Sequence, residues 1–149
     1  MKSVVLAAAL ATPFFAMSAA QAGPAGEALT KCVADSTTGK ERKELARWIF
    51  AAMSAHPEIQ PLSLVDDKTR VELDKGLAGL TGRLITESCS AEARAAATAE
   101  GAASFEAAFT VLGRLAMQEL MTEPSVRASM TNYTKYLDRS KFEAVFSKK

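Results

Sequence analysis

Apolar residues recur at three- and four-residue intervals along most of this chain, and no stretch sustains the two-residue alternation of a half-buried strand. The pattern predicts helices throughout. Leu29, Cys32 and Val33 mark a first short helix from Glu27 to Ala34, closed by the turn-forming cluster Asp35-Ser36-Thr37. Thr38-Gly39-Lys40-Glu41 then matches a capping box, in which the Thr hydroxyl and the Glu carboxylate satisfy amides left open at a helix start. Leu45, Trp48, Ile49, Ala52 and Met53 give the second helix its apolar positions, with Arg42, Lys43 and Arg47 on other faces. Pro57 ends it, because a proline pushes the preceding residue out of helical geometry.

After the loop Gln60-Pro61-Leu62-Ser63, either Ser63 or Asp66 can cap a third helix running to about Glu87, striped by Leu73, Leu77, Leu80, Leu84 and Ile85. Gly76, Gly79 and Gly82 fall on one narrow face of it, and each weakens a helix by about 1 kcal/mol relative to Ala. With no GxxxxGK[ST] and no preceding strand, that face reads as a close approach to a neighbouring helix, or simply as a weak helix, rather than as a phosphate loop. Ser90-Ala91-Glu92 opens the longest helical segment, Ala91 to about Met121, alanine-rich at first and then striped by Phe105, Phe109, Leu112, Ala116 and Leu120. Gly101 and Gly113 are its candidate bends. Pro124 breaks it, and helices from about Ser125 to Leu137 and from Ser140 to Phe146 complete the chain, with Tyr133, Tyr136, Leu137, Phe142, Val145 and Phe146 giving this tail an apolar face. The expected fold is all-α: a single helical domain or bundle of about five to six helices.

The first 22 residues follow a different rule. Lys2, an apolar run from Val4 to Met17 and the small-residue sequence Ala20-Gln21-Ala22 read as a secretory signal peptide cleaved between Ala22 and Gly23. Thr12-Pro13 interrupts the run, which disfavours a membrane anchor, and no cysteine follows the cleavage site to carry a lipid. Residues 23–149 are then one domain, expected to be soluble in the periplasm or secreted. The whole chain has 18 basic and 17 acidic residues, so loss of Lys2 leaves the domain formally neutral. Neutrality argues against nucleic acid or an anionic membrane as the main partner. The cluster Lys40, Arg42, Lys43 and Arg47 is interleaved with Glu41 and Glu44, as on a solvated helix face.

Export changes the meaning of the two cysteines. An even pair in an oxidising space, without CxxC or metal-type spacing, makes a Cys32–Cys89 disulfide the expectation. On the chain-entropy model such a staple stabilises by about 4 kcal/mol.

Catalytic sets are missing from the sequence. There is no GxSxG, no SxxK and no Cys beside a His, and one histidine, His56, cannot supply a three-ligand zinc site of the common kind. Without CxxCH, Glu-x-x-His or an EF-hand loop, neither covalent haem, a dimetal bundle centre nor calcium has its usual ligands. His56 with Met117 or Met121 could hold a noncovalent haem, but a surface histidine and core methionines are the plainer account. The carboxylates Asp66, Asp67, Glu72 and Asp74 are expected to be neutralised by Lys68, Arg70 and Lys75. No enzyme, cofactor, metal or catalytic residue is therefore assigned.

Two clusters are candidate contact surfaces. Trp48, Phe50, Met53 and His56 lie near the end of the second helix, and three consecutive bulky residues, Trp48 to Phe50, project over a wide arc. The expectation is that this helix is buried on most sides; an exposed aromatic there would mark a partner site or a ligand pocket. The second cluster is the tail, with Tyr133 and Tyr136, which docks on the body or on a partner. The stretch Cys32 to Pro57, with Ser36-Thr37-Thr38, Trp48-Ile49-Phe50, Met53 and His56-Pro57, resembles a pattern among uncharacterised exported proteins of Gram-negative bacteria. That resemblance implies the compartment and a helical fold, and no activity. The functional expectation is a non-enzymatic periplasmic protein that binds a protein partner, an inhibitor or immunity-type role being one version. The alternative is a bundle that holds a small apolar ligand in a cavity lined by Phe105, Phe109, Leu112 and Met117.

Overall fold

The computed structural model describes residues 23–146; the leader read in residues 1–22 lies outside them, as do residues 147–149. Helix α1 (Pro24–Asp35) starts with a proline, whose missing N–H has no partner in a first turn anyway. The expected capping box opens α2 (Gly39–Met53): Thr38 Oγ1 accepts from the Glu41 amide at 3.2 Å and Glu41 Oε2 accepts from the Thr38 amide at 2.8 Å.

Helix α2 ends at Met53, ahead of Pro57, and here a distant residue rather than the proline meets its last carbonyls. Arg70, from the next helix, donates to the Ala51 carbonyl and to Ser54 Oγ, while the buried Ser54 hydroxyl donates to the Ala51 carbonyl at 2.8 Å. After a 3-10 turn (Gln60–Leu62), Asp66 Oδ1 accepts from the Thr69 amide at 2.7 Å and caps α3 (Asp67–Arg83), so Asp66 and not Ser63 is the cap. A π turn (Leu84–Ser88) carries the helical path on towards Cys89.

The single segment expected from Ala91 to Met121 is two helices, α4 (Ser90–Ala99) and α5 (Ala102–Met121). Gly101 separates them at φ +68° and ψ −150°, backbone open in practice only to glycine. The chain closes with α6 (Pro124–Thr131), a 3-10 turn (Asn132–Tyr136) and α7 (Arg139–Phe146), whose first turn is capped by Asp138 Oδ1 accepting from the Ser140 and Lys141 amides. Seven α-helices and no strand are found among the described residues, against an expected five to six helices, and the additional one comes from the break at Gly101.

Helix α1 packs on α4 and α5, and α2 packs between α3 and α5. Leu29, Val33, Leu45, Leu84 and Leu112 fill the core, and Ala46, Ala93, Ala96, Ala108 and Ala116 are buried among them. Small side chains at those positions let helix axes approach closely, so the alanine-rich α4 contributes through fit more than through apolar area. The Cys32 and Cys89 sulfurs lie 2.08 Å apart, at disulfide distance, with Cα atoms separated by 5.8 Å. The expected staple therefore joins α1 to the start of α4.

Candidate functional site

Every residue from Met121 to Phe146 is exposed except the half-buried Val126. Pro124 turns the chain out of α5, and α6 packs only against α5 and the 3-10 turn that follows it, while α7 packs against no other described element. Beyond the contact of α6 with α5, this C-terminal arm does not dock on the body. Tyr133, Tyr136, Val145 and Phe146 are 63%, 78%, 75% and 76% exposed. Phe142 and Phe146, one turn apart on α7, pair with each other, with ring centroids 6.4 Å apart. Lys135 Nζ sits 5.0 Å from the centre of the Tyr136 ring, which places a cation on the aromatic face of the arm.

The cluster at the end of α2 divides between core and surface. Trp48 packs partly into the core, and its indole Nε1 donates to Asp74 Oδ1 at 2.8 Å. Phe50 and Met53 point to solvent, 54% and 64% exposed, so the expectation of a helix buried on most sides fails on this face. The reason is geometric: Phe50 follows the buried Ala46 by one turn, at the edge of the face that α2 turns to the core, where Ala46 and Phe50 line an open groove with Val65 and Leu120. His56 is exposed, with Nδ1 accepting from the Glu58 amide at 3.2 Å. No packing between elements joins this cluster to the arm.

Open grooves flank α2, and two of them bear on the expectations above. One, of about 370 Å³, is walled by Leu45, Trp48, Ile49, Leu77, Thr81, Phe109 and Gly113. The residues expected to enclose a cavity do not share one space: Leu112 is packed in the core, Met117 is exposed, and only Phe109 reaches this groove. The other, of about 560 Å³, runs between α2 and α3 with Leu45, Leu73, Leu77 and Leu80 on its floor and Lys40, Glu44, Lys75 and Arg83 at its rim. Gly76 and Gly79 border this second groove, and a methyl group on Gly76, Gly79 or Gly82 would touch nothing. No neighbouring helix comes close to the glycine face, so of the two readings the close approach is overturned and the weak helix stands.

Charged side chains around these grooves are used in pairs. Arg83 donates to Glu41 at 2.6 Å and to the Ser36 carbonyl at 3.2 Å, and Arg42 reaches Glu119 on α5 at 3.4 Å. Donation from the Thr38 amide, with Arg83 beside it, holds the Glu41 carboxyl below its usual range. The charges of α3 do not simply cancel each other as expected. Lys75 pairs with Glu72 at 2.9 Å, but Arg70 serves the end of α2 and Asp74 serves Trp48.

No family model, curated protein or solved structure matches the chain. Among the described residues, no three or more His, Cys, Asp or Glu side chains come together as a metal site, and no helix is long and apolar enough to cross a membrane. The residues that sequence reasoning missed are partners distant in the chain. Asp74 for Trp48, Arg70 for the end of α2 and Glu100 for the start of α1 carry no local signature.

Proposed function

We propose that this is an exported, non-enzymatic interaction protein that engages a partner protein through its C-terminal arm. The observation that carries the reading is the uncovered apolar surface of residues 124–146, on an arm that meets the body only where α6 follows α5. Isolated exposed apolar residues are ordinary, but a run of Met130, Tyr133, Tyr136, Phe142, Val145 and Phe146 along one terminal arm is the composition of a recognition surface rich in aromatic anchors. Arg127, Lys135, Arg139 and Lys141 outnumber Asp138 and Glu143 in the arm, so the fitting partner presents an apolar groove with an acidic rim. The staple between Cys32 and Cys89 supports export, since such bonds persist in oxidising compartments.

Native mass spectrometry of the protein isolated from the compartment in which it accumulates tests the proposal. A protein-sized adduct that disappears in the double variant F142S/F146S is expected. A bare monomer in both proteins, or an adduct unaffected by the double change, would overturn it.

The groove bounded by Trp48, Ile49, Leu77 and Phe109 favours a second reading, a small apolar ligand held between α2, α3 and α5. Trp48 is the only tryptophan, so its emission reports on this groove directly. A saturable shift on titration with a medium-chain fatty acid would support the second reading, and an unchanged spectrum would remove it.

A further inference from the structure

The first residue of the described chain is held by a carboxylate from far along the sequence. Gly23 N donates to Glu100 Oε2 at 2.9 Å across 77 positions, and the amides of Ala25 and Gly26 each donate to Oε1 at 3.1 Å. Gly26 also reaches Oε2 at 3.2 Å, so both oxygens of Glu100 are committed to the start of α1. Gly101, in its glycine-only backbone conformation, turns the chain immediately after Glu100. A Cβ on residue 23 would lie 2.6 Å from Oε1 and 2.9 Å from Cδ, so a larger residue there would require the Glu100 carboxylate to shift.

We propose that Glu100 is the docking site for the α-ammonium group created when the bond between Ala22 and Gly23 is cut. The proposal rests on reading residues 1–22 as a leader. An external peptidase hydrolyses the bond with one water: Ala22 keeps the carbonyl carbon and gains the hydroxyl, leaving as a carboxylate. The nitrogen of Gly23 gains the hydrogens that make it an ammonium. That nitrogen already lies at hydrogen-bond distance from Glu100 Oε2. Cutting converts a neutral amide donor into a charged one, and charge-assisted hydrogen bonds are roughly twice as strong as neutral ones. The carboxylate has a second task. A positive chain end at a helix N-terminus is opposed by the helix macrodipole, and an anion at that place offsets the repulsion. Removal of the leader thus completes the contact between α1 and the α4–α5 junction instead of leaving a frayed end.

Two measurements test this separately. Sequencing the N-terminus of the exported protein asks whether Gly23 is first; a different first residue would overturn the proposal at the processing step. Thermal melts then compare the protein beginning at Gly23 with one retaining Gln21-Ala22, each with and without E100Q. The form beginning at Gly23 should melt higher by about 3–6 °C at low salt, and E100Q should abolish the difference. Equal melting of the two Glu100 forms, or a gap that survives E100Q, would overturn the role of Glu100. Should E100Q fail to fold, acylation of the α-amine decides the matter. In the native protein it should be at least about tenfold slower than in urea, and equal rates would contradict docking.

Discussion

Gly101 and Gly79 respond in opposite ways to the same added methyl group. Neither would meet a neighbour, so any change in stability comes from the backbone alone. At Gly101, φ +68° with ψ −150° is forbidden to alanine, and G101A should lose about 1–3 kcal/mol in urea denaturation. At Gly79, inside α3, G79A should gain about 0.5–1 kcal/mol. A neutral G101A would mean that the α4–α5 turn relaxes freely. Glu41 gives a pH signature at the same scale. Its folded carboxyl titrates below the ordinary value, so its contribution is complete above the unfolded pKa of about 4.3 and fades as pH falls through the folded value. The stability advantage of the wild type over E41Q should therefore shrink between about pH 5 and pH 3; an advantage independent of pH would contradict the assignment. Both partners of the Thr38–Glu41 box lie within one turn, and for that reason it was readable from four consecutive letters. Glu100, Arg70 and Asp74 act on residues 77, 19 and 26 positions away, and nothing local distinguishes them from solvated charges.

Elements were legible where periodicity and punctuation agreed. The stripes through Leu29 and Val33, Leu45, Leu84 and Leu112 did mark the buried faces of their helices. Periodicity ran uninterrupted through Gly101, however, because a glycine that breaks a helix and one that is merely tolerated look alike until φ is known. The exposed side of α2 was obscured for a related reason: Trp48, Ile49 and Phe50 are all apolar, and the pattern alone cannot say which of them leaves the core. The strongest constraint between elements is the Cys32–Cys89 link, which spans 57 positions and ties α1 to α4. Replacing both cysteines by serine should lower unfolding free energy by about 4 kcal/mol, with little change in helical circular dichroism at room temperature. Equal stability of the two proteins would show that packing of α1 on α5 suffices without the bond. L112A, which removes a side chain packed at the centre of α5, should cost a further 2–5 kcal/mol, in the range of other buried leucines.

At the scale of the whole molecule, two parts of the chain use apolar residues differently. From α1 to α5 the larger ones mostly share a common core, with Phe50, Met53, Leu62 and Leu64 left at the surface; from α6 to α7 almost all of them face outwards. The tail's apolar face was visible in the sequence, but whether it covers the body depends on how α5 ends and where Pro124 directs the chain, which no periodicity encodes. Stability and recognition should accordingly separate: F142S/F146S should melt within about 1 °C of the wild type, as surface substitutions away from packed features do. Hydrogen exchange across the arm bears most directly on the proposed function. In the isolated protein, amides of residues 124–146 should exchange far faster than those of α1 and α5, and in the assembly recovered from its native compartment protection should appear in the arm. An arm already protected in the isolated monomer, or one that stays unprotected in the assembly while another face becomes protected, would contradict the account.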